Sequence, residues 1–129
     1  MFKKIIANIF YCIFFILIPN ATLLAKPPIF VDKPEDALIL SVDLELDALL
    51  IFTSSFCQPC LALKKDLNQN LTLIDNMIIC YIDFNQRQDL VKEFQVKTVP
   101  DTIVYRDNKE IKRKIGYKSK QEFEEWIKR

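Results

Sequence analysis

LLIFTSSFCQPC, residues 49–60, joins two signals in twelve residues. Residues 49–53 are a short apolar run with the look of a buried strand. The stretch then ends in Cys57 and Cys60, with Gln58 and Pro59 between them. A pair so spaced is a structural clip, half of a zinc site, or a disulfide that opens and closes. A structural zinc site takes four ligands, commonly two such pairs or one pair with histidines. This chain has no histidine, and beyond the pair its main body offers only Cys80. No metal is expected. A clip closing so small a loop removes little entropy from the unfolded chain. Cys80 sits in mid-run among Ile78, Ile79 and Ile82, the place of a small buried hydrophobe.

The redox reading asks for a strand that ends near the first cysteine and a helix that starts there. A helix N-terminus carries partial positive charge and free N–H groups, which favour a thiolate. The stretch supplies that order: strand, short loop, Cys57, then LALKKDLNQN, in which Leu61, Leu63, Leu67 and Leu71 suit a helix. Cys57, at the exposed end, is the expected nucleophile. Cys60 lies about one turn deeper and is placed to resolve a mixed disulfide.

The 129 residues of the chain suffice for one domain with a real core. Eighteen basic and seventeen acidic residues leave a net charge of +1, so no nucleic-acid footprint is expected. The lack of histidine excludes Ser-His and Cys-His catalysis. A single glycine, Gly116, excludes glycine-rich phosphate loops.

The chain starts MFKKIIANIFYCIFFILIPNATLLAKPP. Lys3 and Lys4 precede an apolar run over residues 5–18, broken by Pro19 and Asn20, and Ala25 ends a passable cleavage site. Residues 1–25 therefore read as a secretory signal. The rival is an uncleaved anchor, since residues 5–25 can just span a bilayer. Cys12 is apolar filler within the run. Either reading places the domain outside the cytoplasm, periplasmic if the organism has a periplasm, where disulfides persist.

Residues 26–33, with Pro27 and Pro28, read as an extended tether, and residues 34–129 as the domain. Pro34 can open a helix with Glu35 and Asp36 in its first turn; Ala37, Leu38, Leu40, Ser41 and Leu44 give it a rough stripe. NMIICYIDFN is a second buried strand, and QRQDLVKEFQV a short helix with Leu90, Val91 and Phe94 inward. TVPDTIVY is a strand opening at a proline; Asp107-Asn108 is a turn, and KEIKRKIGY the returning strand. Ser119 to Glu122 has the capping-box form, and Phe123, Trp126 and Ile127 give the last helix one apolar face. The basic runs at Lys64-Lys65 and over residues 109–114 read as solvated surface rather than a partner patch.

LLIFTSSFCQPC resembles the strand-loop-CxxC element of the thioredoxin family, and KTVPDTIVYRDNKEIKRKIGY resembles that family's other landmark, a Val-Pro peptide followed by two hairpin strands and a glycine. The resemblance covers roughly residues 34–129. It implies an α/β thioredoxin fold, a central mixed β-sheet flanked by helices. It implies a redox disulfide between Cys57 and Cys60, and substrate contacts at Phe56, Gln58, Pro59, Val99 and Pro100. In the family the proline is cis, lies beside the CxxC and keeps metals from the thiolate, and its neighbour's backbone pairs with substrate. No cofactor is implied, because the dithiol is the redox centre. Protein disulfides are the implied substrates, a membrane-bound electron donor or acceptor the implied partner, and a monomer the implied state.

The departures carry information. Phe56 stands where typical thioredoxin has tryptophan, and Gln58-Pro59 where it has Gly-Pro. Ile51 and Ile79 occupy the positions of the family's buried aspartate and lysine, so its internal proton relay is missing. Strong oxidants of this fold keep a histidine between the cysteines. Its absence, with Pro59 in second place, favours reduction or exchange of disulfides. The alternatives are a disulfide-forming oxidase and a binding or assembly module whose cysteines do not turn over.

Overall fold

A computed structural model describes residues 24–129. The expected signal or anchor over residues 1–25 lies almost wholly outside the described residues. Five strands form one sheet: β1 (Ile29–Val31), β2 (Asp47–Thr53), β3 (Met77–Asp83), β4 (Asp101–Arg106) and β5 (Lys109–Ile115). Their spatial order is β1-β3-β2-β4-β5. The β1–β3 and β2–β3 pairs are parallel, and β2–β4 and β4–β5 antiparallel. Among the described residues four helices cover the two faces: α1 (Pro34–Leu44), α2 (Gln58–Gln69), α3 (Gln88–Glu93) and α4 (Lys120–Lys128).

The central strands are central because they are apolar on both sides. Leu50, Phe52, Ile78, Cys80, Ile82 and Ile103 face one cluster, closed by Ala37 of α1 and by Leu90 and Val91 of α3. Leu49, Ile51, Ile79 and Val104 face the other, closed by Leu63 and Leu67 of α2 and Phe123 of α4. This is the mixed, helix-flanked sheet expected from the resemblance.

Part of the expected tether is strand. Ile29, Phe30 and Val31 pair in parallel with Ile78, Ile79 and Cys80, so the folded unit begins ahead of Pro34. Three β-branched or aromatic residues favour a strand, but three are too few to show alternation behind a Pro-Pro pair. Lys26 secures the approach: its N–H donates to Asn76 Oδ1 at 2.9 Å, and its carbonyl accepts from Asn76 N–H at 2.8 Å. Phe30 then stacks on Tyr81, ring centres 6.4 Å apart.

Several details are finer than the pattern foretold. The α1 stripe buries Ala37 and Ser41 but leaves Leu44 exposed. In α2, Leu63 and Leu67 are buried while Leu61 is exposed, and Leu71 belongs to a separate 3-10 turn, Leu71–Ile74. Asp107 and Asn108 have φ of 51° and 60°, the left-handed pair of a two-residue hairpin turn. Ser119 Oγ accepts from Glu122 N–H at 3.2 Å, but the Glu122 carboxylate turns away to Lys114 at 2.7 Å, so half of the capping box forms.

The basic run of β5 is tied into the fold rather than simply solvated. Lys112 Nζ donates to the Trp126 and Ile127 carbonyls at 3.0 and 2.8 Å, satisfying the end of α4. Arg113 donates to Asp101 Oδ2 and to the Phe94 carbonyl, each at 2.9 Å, and to Glu110. Asp101 is 1 % exposed, and its Oδ1 has no partner among the described residues. Burial pushes the Asp101 carboxyl up, and Arg113 opposes that only in part. Asp101 therefore holds its proton more tightly folded than unfolded. Its carboxylate costs stability above the usual carboxylate range, and that cost fades as pH falls through the range.

Arg113→Met follows the same sign with a larger amplitude. Removing one partner of a buried pair costs about 3–5 kcal/mol when the charge left behind has no escape. Asp101 escapes by protonating, so about 2–3 kcal/mol is expected at neutral pH. The loss should shrink in acid. Urea melts of both proteins at neutral and acidic pH check this; a loss that grows in acid contradicts it.

Candidate active site

β2, a central strand, ends at Thr53, and four residues then separate it from α2. That loop is pinned. Ser54 Oγ accepts from Phe56 N–H at 3.3 Å and from Asn85 Nδ2 at 2.9 Å, and Cys57 N–H reaches the Ser54 carbonyl at 3.2 Å. Asn85 is held in turn by Asp83, whose Oδ1 accepts its backbone N–H at 2.8 Å. Phe84 N–H donates to the Thr53 carbonyl at 2.8 Å. The turn after β3 thus holds the turn after β2.

Cys57 is the N-cap residue of α2. Its backbone is extended, and its Sγ accepts the Cys60 N–H at 3.3 Å. Pro59 fits the first turn, where the N–H it lacks has no partner in the helix. Sulfur here takes the part a serine or aspartate oxygen usually plays at a helix start. When the pair is reduced, that N–H and the helix end favour Cys57 as a thiolate.

Cys57 and Cys60 are joined in a disulfide, their Cα atoms 5.2 Å apart. Cys57 is half-buried, whereas Cys60 is 1 % exposed. The Val99–Pro100 peptide is cis. It lies beside the pair: the Val99 carbonyl oxygen is 3.7 Å from Cys57 Sγ, a contact that becomes an S–H donation only when the disulfide opens. Gly116 N–H donates to the Pro100 carbonyl at 2.8 Å and fixes the far end of the hairpin to this peptide. Gly116 sits at φ 82°, a conformation open to glycine at little cost. Cys57, Cys60, Val99 and Pro100 therefore come together from two separate stretches of the sequence, Cys57 and Val99 being 42 residues apart. Phe56, Gln58 and Pro59 form an exposed rim, Phe56 at 89 % exposure.

The thioredoxin family model matches residues 37–129, which span the sheet from β2 onward and both halves of this site. The chain belongs to the thioredoxin family. With its CxxC pair, it is a thioredoxin-like thiol-disulfide oxidoreductase. The thioredoxin of Chlamydia trachomatis is 26 % identical over 72 residues, 56 % of this chain and 71 % of that one. Thioredoxin H2 of Arabidopsis thaliana is 29 % identical over 76 residues, covering 59 % of this chain and 56 % of its own. Among solved structures, Trxlp from Edwardsiella tarda superposes with a TM-score of 0.69 at 17 % identity, over 78 % of this chain and 99 % of that one. Thioredoxin NaTrxh from Nicotiana alata gives 0.65 at 22 % identity, over 84 % and 96 %. At those identities the likeness speaks to the fold.

Within this thioredoxin fold, Ile51 and Ile79 are wholly buried. The face of the sheet that packs on α2 carries no ionisable group at either position. Cys80 lies on the opposite face, a free buried thiol. Burial, with Glu35 and Asp32 adding to it, pushes that thiol up to about 12 and keeps it protonated. Among the described residues no cluster of three or more His, Cys, Asp or Glu is placed to hold a metal ion. Sequence reasoning missed Ser54, Asp83 and Asn85. The signal available was modest: Asp and Asn two apart after a strand form a turn that caps itself. Nothing in the spacing says that such a turn reaches the CxxC loop.

Proposed function

We propose that this protein is an extracytoplasmic thiol-disulfide oxidoreductase that reduces or exchanges disulfides in protein substrates. Cys57 attacks the substrate disulfide, and Cys60 resolves the mixed disulfide. The observation that carries this is the asymmetry of the pair: Cys57 caps a helix and meets solvent, while Cys60 is buried beneath it. The exposed rim of Phe56, Gln58 and Pro59 receives the substrate chain, with Val99 and Pro100 as the other wall. The direction rests on the absent histidine and on Pro59. Export rests on the apolar start of the chain after Lys3 and Lys4. A membrane-bound donor regenerates the dithiol, and the protein acts as a monomer.

The activity is tested by following insulin disulfide reduction with dithiothreitol as the electron source. The protein should speed the reaction catalytically; no gain over dithiothreitol alone would defeat the reading. Export is tested by fractionating cells. A soluble extracytoplasmic form beginning at Lys26 is the expected result, and an unprocessed soluble form in that fraction would rule out signal cleavage.

A further inference from the structure

The buried side of the disulfide borders a second solvent space. A cavity of 170 Å³ lies between Cys60, Leu61 and Lys64 of α2 and Thr53 and Asp83 at the ends of β2 and β3. Thr53 and Asp83 are partners in the sheet register, on the face that packs against α2. The cavity is polar and has room for several waters.

Resolution has a proton to dispose of. Once Cys57 carries the substrate as a mixed disulfide, Cys60 must lose its thiol proton before its sulfur attacks the Cys57 sulfur. The Cys57–Cys60 bond then forms, the bond to the substrate sulfur breaks, and the substrate leaves as a thiolate. The pair gives up two electrons and the substrate takes them. Burial disfavours the thiolate at Cys60. The sheet offers no acceptor at Ile51 or Ile79, and the chain has no histidine. Two ionisable side chains line the cavity with Cys60: Lys64 and Asp83. An ammonium has no lone pair to take a proton.

Asp83 is held for the task. Its Oδ1 accepts the backbone N–H groups of Asn85 at 2.8 Å and Gln86 at 3.0 Å. Its Oδ2 makes no hydrogen bond to protein among the described residues. Lys64 faces it from α2, with its ammonium 5.1 Å from the centre of the Tyr81 ring. On its other side Asp83 borders a hollow shared with Asp32 before α1, Tyr81 of β3 and Arg87 at the start of α3. We infer that Asp83 accepts the Cys60 proton through cavity water and returns it to the departing thiolate. This rests on the exchange reading above.

The test is reduced protein mixed with less than one equivalent of 5,5′-dithiobis(2-nitrobenzoate) in a stopped-flow cell. Attack by Cys57 releases the first thionitrobenzoate, and attack by Cys60 releases the second. Asp83→Asn keeps an oxygen for both backbone N–H groups, so the turn should survive. Its first release should match wild type. Its second should slow about a hundredfold near neutral pH. The gap should close in alkaline buffer, where hydroxide strips the thiol, and Asp83→Glu should restore most of the rate. A carboxylate acting only as a charge would oppose the forming thiolate, so Asp83→Asn would then speed the second release. Faster or unchanged second release overturns the inference alone, as does an equal slowing of both steps. A wild-type protein that never gives a second release overturns the exchange reading and the inference with it.

Discussion

Serine in place of Cys57 should remove disulfide turnover to the level of the buffer, and alanine in place of Cys60 should trap one substrate per protein. Exchange proceeds by attack of a thiolate on a disulfide sulfur, and a serine hydroxyl at the helix N-cap is no substitute. Cys57 keeps its N-cap hydrogen bond from the residue-60 N–H when Cys60 loses its sulfur, because that donor is backbone. The Cys60→Ala protein should therefore attack and then stall, accumulating stoichiometric adducts at Cys57. Intact-mass spectra of both variants after exposure to an oxidised protein substrate measure this. The reverse pattern, adducts through Cys60 in the Cys57→Ser protein, would assign the roles the other way. Stability should change little in either variant, because the disulfide closes so small a loop.

Phe52→Ala should cost about 3–5 kcal/mol and lower Tm by roughly 15–25 °C. Phe52 is fully buried in β2. Its ring lies 5.7 Å from Phe94, which meets Tyr105 at 5.9 Å. Phe94 follows α3, and its carbonyl also receives Arg113. Alanine at 52 would open a cavity under α3 and loosen the far end of the hairpin with it. Phe56 is the built-in control. It is the same residue type four positions on and 89 % exposed, so Phe56→Ala should stay within about 0.5 kcal/mol. Thermal and urea melts of the two variants decide. Equal losses would mean that exposure misstates where the core lies.

The two stretches that identify the fold were legible because each couples apolar patterning to a chemically specific residue. The continuous apolar runs around Leu50 and Ile79 mark strands buried on both faces, and Cys57 and Pro100 mark where two elements packed beside them, α2 and β4, begin. β1 was not legible. Its three residues gain a strand's character only by pairing with Ile78, Ile79 and Cys80, and a long-range partner leaves no local trace. Leu44 and Leu61 fit a helical stripe yet face outward, since the stripe's width alone does not fix which edge packs. The basic run of β5 suggested solvated surface, whereas Lys112, Arg113 and Lys114 each find a partner on another element. Charge in sequence says nothing of where its counter-charge will fold to. The Ser54–Asn85–Asp83 chain was hidden for the same reason: Ser54 and Asn85 lie 31 residues apart.

Cys57 and Cys60 are proposed as a redox-active pair poised to donate electrons. Equilibrating the protein in dithiothreitol and glutathione buffers, then alkylating free thiols and weighing the products, reads its reduction potential directly. A value near that of thioredoxin, about −270 mV, is the expected result. A value near about −120 mV would make the protein an oxidant and contradict the proposed direction. A pair that never equilibrates would contradict the account itself and leave a binding module with an inert disulfide.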